Sequence, residues 1–461
     1  MQKHSLILVL ALGLAAAILA STTTADTTGS TPSVPWYVDG AVRAVRTGLN
    51  AEIQPGSNKA LAGEKSTAYL KVSLYGTRDF ANTRQPINVA LVIDRSGSMQ
   101  GQKIVDAKQA ALMAIDQLQP EDIVSLVAYE SNVHVLIPAT KLSDKQAFRN
   151  AIHAIEADGS TALYGGVETG LQELKKFAEA GKLSRLILLS DGLANVGPST
   201  TPELVNLGVR CAKQGVTVST IGLGLDYNED LMTSLASSSD GNHYFAKNSD
   251  ELPEIYEKEL KTAMSATATD IDIVVSCADG VRPVRVLNRE AVISGNLVRM
   301  QLSNIWSSQE KYAVIEVELP AKDAGTMLEV AKTEVKYTTV GDATRHSLAS
   351  TASVTYTADA AEVEASENRD VMVGVVRQIV AENNRIGMEM QDQGKSSMAV
   401  PWFVDNALNA EAWADKYNAP ELREDAIDNR KDAESIQSGT YTVRRKQIKE
   451  NQYVIKQQSA K

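Results

Sequence analysis

Cysteine is scarce, with two residues in 461, Cys211 and Cys277. Cys211 follows Leu204 and Leu207 on the apolar face of an expected helix, and Cys277 shares the alternating phase of Ile271, Ile273 and Val275 on an expected strand. Each points into a different core, which reads as two buried thiols; export would permit a disulfide instead. Histidine is sparse too: His134, His153, His243 and His346 are scattered without the spacing of zinc ligands. There is no Gly-x-Ser-x-Gly elbow and no His-Glu-x-x-His run, so no catalytic set is assigned. Basic charge is in deficit, 46 Lys and Arg against 57 Asp and Glu, giving a net −11. With no basic stripe along any expected element, nucleic acid is disfavoured as a partner. Beyond residue 20, no apolar run is long enough to span a bilayer.

The early apolar run, residues 6–20, follows Lys3 and His4 and gives way to polar Ser21-Thr22-Thr23-Thr24-Ala25-Asp26. This pattern reads as a secretory signal peptide over 1–20, with an uncleaved anchor as the alternative. A Thr- and Ser-rich linker follows over 21–35. The mature chain is expected in the periplasm or outside the cell.

The strongest positive signal is Ile87-Asn88-Val89-Ala90-Leu91-Val92-Ile93-Asp94-Arg95-Ser96-Gly97-Ser98-Met99. Its apolar part is short, continuous and β-branched, as in a strand buried on both faces, and residues 102–118 carry helical spacing after it. Asp94 therefore falls at a strand's carboxyl end, the edge at which open α/β sheets bind ligands. A carboxylate with two hydroxyls is a set of hard oxygen donors and suggests a divalent cation. Taken alone, the same residues also suit a helix cap. Two further donors follow: Thr161 in Gly159-Ser160-Thr161-Ala162-Leu163, ahead of a helix, and Asp191 at the end of the buried run Leu186-Ile187-Leu188-Leu189-Ser190-Asp191.

Together these residues resemble the von Willebrand factor A (VWA) domain, whose metal-ion-dependent adhesion site uses an Asp-x-Ser-x-Ser loop, a distant Thr and a distant Asp. Asp94, Ser96, Ser98, Thr161 and Asp191 match in family order, and residues 215–224 look like the family's late strand. The resemblance implies a doubly wound, Rossmann-like, mostly parallel α/β sheet over 86–265. It also implies Mg²⁺, or Mn²⁺ or Ca²⁺, held by those five residues with an open position for a partner's Asp or Glu. Secreted bacterial proteins similar to this one combine an A domain with flanking β and helical parts. In similar domains, capture of an acidic ligand is linked to displacement of the last helix, here residues 249–265. A rigid module whose last helix only packs the sheet is the alternative.

Outside that domain the periodicity changes. Residues 266–358 alternate with period two, as in Val284/Val286, Val298/Met300/Leu302 and Ala313/Ile315/Val317/Leu319, which predicts a β-sandwich. Leu70-Lys71-Val72-Ser73-Leu74 has the same alternation, so residues 36–85 are expected to lend a strand to the sandwich, with the A-like domain inserted between. Residues 359–461 are expected to be a helical region ending in a polar, solvated tail from 431, where Arg444, Arg445, Lys446 and Lys449 lie. Val34-Pro35-Trp36-Tyr37-Val38-Asp39 is echoed by Val400-Pro401-Trp402-Phe403-Val404-Asp405, with no physical reason visible in the sequence. The leading expectation is a cation-dependent protein-binding module used in adhesion or scaffolding. A periplasmic assembly or chaperone-like factor is the alternative, and a metal-dependent hydrolase is a third reading.

Overall fold

The computed structural model describes residues 48–77, 84–178, 183–341 and 343–458. The expected signal peptide, the linker and the first copy of the Val-Pro-Trp repeat lie outside these residues. In the β-part, β1 (Leu49–Pro55), β2 (Lys59–Leu61) and β3 (Ser66–Gly76) come first in the chain.

The chain then builds an α/β unit from β4 (Asn88–Asp94), α1 (Gln102–Gln117), β5 (Ile123–Tyr129), β6 (Val133–Lys141), α2 (Lys145–His153), α3 (Leu163–Lys175), β7 (Ser184–Ser190), α4 (Thr201–Ala212), β8 (Val216–Leu223), α5 (Glu229–Ser238), β9 (His243–Ala246) and α6 (Leu252–Met264). The sheet order is β6-β5-β4-β7-β8-β9, parallel except for the edge strand β6. β4, β5, β7 and β8 are buried at every position, because helices cover both faces of the sheet. Two apolar clusters fill those faces, one around Leu91, Ile115 and Leu260, the other around Val92, Leu171 and Leu235. From β4 the chain winds outward to β5 and later returns to β7 on the other side. The strand order thus reverses between the carboxyl ends of β4 and β7, which opens a crevice there.

A second body follows: β10 (Ala266–Cys277), β11 (Arg282–Val286), β12 (Val292–Ser294), β13 (Leu297–Trp306), β14 (Glu310–Leu319), β15 (Met327–Thr339) and β16 (Arg345–Thr357). With the first three strands these form two sheets, β1-β3-β14-β11 and β12-β13-β10-β15-β16-β2, closed on one core. β3 pairs with β14 from Ser66 opposite Leu319 to Tyr75 opposite Glu310. The chain leaves β3 and re-enters at β10 beside one turn: Ser308 N–H donates to Gly76 O at 3.0 Å, and Ser307 N–H to Ser265 O at 2.8 Å. One alternation differs from expectation. Val284 faces outward, because a bulge between Pro283 and Arg285 shifts the register against β14.

Helices α7 (Ala360–Ala365), α8 (Arg369–Asp392), α9 (Ser396–Tyr417), α10 (Pro420–Ser438) and α11 (Tyr441–Gln457) complete the chain. The expected solvated tail is corrected here. Residues 441–457 are helical, and α11 is wedged between the other parts: Arg445 pairs with Glu229, Asp230 and Asp392, and buried Lys446 reaches Glu229 at 2.7 Å. Arg444 pairs with Asp428 and Asp432 of α10. In the second copy of the repeat, Phe403 is fully buried and Trp402 Nε1–H donates to Asn383 O at 2.7 Å, a packing role within the helices.

Cys211 and Cys277 are free, buried thiols in separate cores.

Candidate metal centre

The crevice between β4 and β7 is built from three loops. The first begins at Asp94, which ends β4 and is fully buried. Its Oδ1 accepts the Ser96 N–H at 2.8 Å, and its Oδ2 accepts the Ser190 hydroxyl at 2.7 Å and the Tyr129 hydroxyl at 3.4 Å. Among the described residues no cationic side chain pairs with it. Burial pushes the Asp94 carboxyl up to about 6, with the Ser190 hydroxyl and the Ser96 N–H pulling the other way.

The second loop, at Thr161, is stitched to the first. Gly97 N–H donates to Gly159 O at 2.9 Å, and Asp158 N–H to Arg95 O at 2.8 Å. Gly159 has φ +80, and a Cβ there would stand 2.7 Å from Glu130 Oε2, so both backbone and space require glycine. The third loop follows β7 and carries Asp191, also fully buried. Asn195, four residues on, clamps Thr161: its Oδ1 accepts Thr161 N–H at 2.7 Å, and its own N–H donates to Thr161 O at 3.1 Å.

These contacts bring the five expected residues together. The Ser96 and Ser98 hydroxyls lie 3.0 Å apart, and Ser98 donates to Asp191 Oδ1 at 2.6 Å. A Cβ on Gly192 would stand 3.2 Å from Ser98 Oγ and 3.4 Å from Thr161 Oγ1, so both hydroxyls converge beside Asp191. Asp94, Asp191, Ser96 and Thr161 are buried, whereas Ser98 is exposed and gives the crevice its mouth. Among the described residues no group of three or more His, Cys, Asp or Glu side chains is placed to hold a metal ion. Two carboxylates and three hydroxyls are instead an all-oxygen set, which fits a hard divalent ion that keeps water or a partner's oxygen in its shell.

Four neighbours escaped the sequence reading. Tyr129 and Ser190 hold Asp94, Asn195 holds Thr161, and Lys103 Nζ lies 2.6 Å from Asp191 Oδ2. Ser190 left a trace, as a hydroxyl closing an apolar run. So did Lys103, a cation in the first turn of a helix, where the dipole disfavours it. Tyr129 and Asn195 left none.

Residues 88–258 match the model of the von Willebrand factor type A domain. An uncharacterized protein of Synechocystis is 26% identical over 264 residues, covering 55% of this chain and 62% of that protein. Human inter-alpha-trypsin inhibitor heavy chain H3 is 33% identical over 172 residues, covering 35% of this chain and 19% of the relative. The chain thus spans less than two thirds of either relative. Among solved structures, a von Willebrand factor type A protein from Catenulispora acidiphila superposes with a TM-score of 0.67 at 17% identity, covering 83% of this chain and 91% of that one. That likeness shows the fold.

Proposed function

From the von Willebrand factor type A domain at residues 88–258, commonly a protein-interaction module, we propose that this chain is an exported, divalent-cation-dependent protein-binding protein. In this reading Asp94, Ser96, Ser98, Thr161 and Asp191 hold Mg²⁺, with Mn²⁺ and Ca²⁺ as alternatives, and a partner's Asp or Glu completes the shell. The observation that carries it is the pair of fully buried carboxylates facing three hydroxyls at a crevice that opens past Ser98. Buried carboxylates need compensating charge, and one ammonium is all that the described residues bring to the two.

When bound, the ion supplies positive charge that neutral hydroxyl ligands leave available to an incoming carboxylate. The chain's own residues prepare the place. Ser190 and the Ser96 N–H fix the orientation of Asp94, Asn195 holds the loop of Thr161, and the carbonyl of Gly159 ties that loop to Gly97. Export rests on the apolar run at residues 6–20, and no described helix is long and apolar enough to cross a membrane.

The test is affinity capture from cell-envelope extract with the full chain. A partner retained in Mg²⁺, released by chelator and not retained by a folded Asp94→Ala variant is the expected result. Retention that ignores both the chelator and the substitution would refute the proposal.

A further inference from the structure

The two buried acids of the crevice are compensated unequally. Asp94 is held by neutral donors alone, the Ser96 N–H and the Ser190 and Tyr129 hydroxyls. Asp191 accepts Ser98 Oγ on one oxygen and Lys103 Nζ on the other, each at 2.6 Å. Lys103 stands in the first turn of α1, where a positive charge opposes the helix dipole, and no acidic residue of that turn offsets it. Its placement answers to Asp191, not to the helix. The lysine side chain is 32% exposed while Asp191 is wholly covered, so the ammonium reaches inward from the rim. Space is left beside it: the nearest atoms to a Cβ on Gly224 would be Lys103 Nζ at 3.9 Å and Cε at 4.0 Å.

We propose that Lys103 is a tethered cation that competes with the divalent ion for Asp191, occupying that carboxylate in the metal-free chain and yielding it toward solvent when the ion enters. This rests on the reading of Asp94, Ser96, Ser98, Thr161 and Asp191 as a metal site. Both cations neutralise the same buried carboxylate, and at such short range like charges repel. The tether gives the ammonium a high effective concentration, so it competes at any protein dilution. Metal affinity is thereby held below what five oxygen donors would provide unopposed. Saturation then depends on the ambient divalent concentration, or on a partner that adds its own carboxylate.

Calorimetric titration of the full chain with Mg²⁺ tests this, using wild type, Lys103→Met, Lys103→Gln, Lys103→Arg and Asp94→Ala. Lys103→Met and Lys103→Gln are expected to bind about tenfold more tightly than wild type. Lys103→Arg, which keeps the charge, is expected to stay within about threefold of wild type. A second readout is thermal unfolding. The neutral variants melt lower than wild type without metal and gain more on saturation with Mg²⁺. Equal or weaker Mg²⁺ binding by both neutral variants would overturn the proposal and make Lys103 a support of Asp191. Failure of the underlying reading has another signature: no Mg²⁺ heat from wild type or any lysine variant, or binding untouched by Asp94→Ala.

Discussion

Asp94 is set in place by hydrogen bonds rather than by charge, and this makes its neighbours as consequential as the residue itself. Removing the Ser190 hydroxyl leaves Asp94 Oδ2 with only the longer bond from Tyr129. Ser190→Ala is therefore expected to weaken Mg²⁺ binding by roughly 10- to 100-fold and to cost about 1–3 kcal/mol of stability in the metal-free chain; an unchanged affinity would show that Ser190 does not orient the ligand. His243 gives a second, independent prediction. It is buried between Tyr227 and Tyr453, with Nδ1 on Thr220 Oγ1 at 2.8 Å. Burial pulls its pKa down from 6.5 to about 3, with Lys446 adding to the lowering and Glu229 opposing it. Between those two values the unfolded chain binds the proton and the folded chain does not, so stability falls as pH drops below about 6.5. From pH 7 to pH 5 this one group costs about 2 kcal/mol. Urea unfolding should show wild type losing that much relative to His243→Asn; a difference between the two that does not change with pH would contradict the assignment.

Among the elements, α6 decides whether the domain can move. It carries Glu259, fully buried, which pairs with Arg185 of β7 at 3.0 Å. It also accepts from Ser219, from Asn242 at 2.8 Å and from Tyr244 at 2.9 Å. Sliding this helix would strand a buried ion pair, which favours the rigid module over a helix displaced on ligand capture. Glu259→Ala is expected to destabilise the protein by about 3–5 kcal/mol, as read by denaturant midpoint. A loss under about 1 kcal/mol would mean the pin is weak and the helix free to shift. The strands beside the site were legible because each is a continuous apolar run closed by a polar residue: Asp94 after Ile93, and Ser190 with Asp191 after Leu189. The phase of β11 was not, because a bulge leaves no mark on hydrophobic alternation. Helix α11 was hidden for another reason. Arg444, Arg445 and Lys446 look solvated when read locally, but two of the acids that neutralise Arg445 and Lys446, Glu229 and Asp230, sit in a domain more than 200 positions earlier, and a third, Asp392, is on another helix.

At the scale of the whole molecule, continuity of chain and continuity of structure part company. β3 lies between β1 and β14, so it is an inner strand of a sheet whose other members flank the α/β unit in sequence. A fragment of residues 266–358 lacks β3, exposes the edge of β14 and loses the core residues Leu70, Val72 and Leu74, and should not yield a stable monomer by circular dichroism and sedimentation. A well-folded monomer would show that β3 is dispensable. Helix α11 acts as the strap. It touches the α/β unit through Lys446, whose Nζ also donates to Tyr227 O at 2.8 Å, and Gln378 of α8 joins it to the sandwich through Ile455 O at 2.9 Å and Tyr312 Oη at 3.0 Å. The crevice of Asp94 and Asp191 is thus presented by a body braced on two sides.

The decisive property of the crevice is whether it binds a divalent ion through Asp94. Calorimetric titration of the full chain with Mg²⁺ answers this directly, with Asp94→Ala as the companion and circular dichroism as the check on its fold. One ion per wild-type chain, and no binding to a folded Asp94→Ala variant, is the predicted result. Equal affinity in the two proteins, or no binding by wild type at millimolar Mg²⁺, would contradict it.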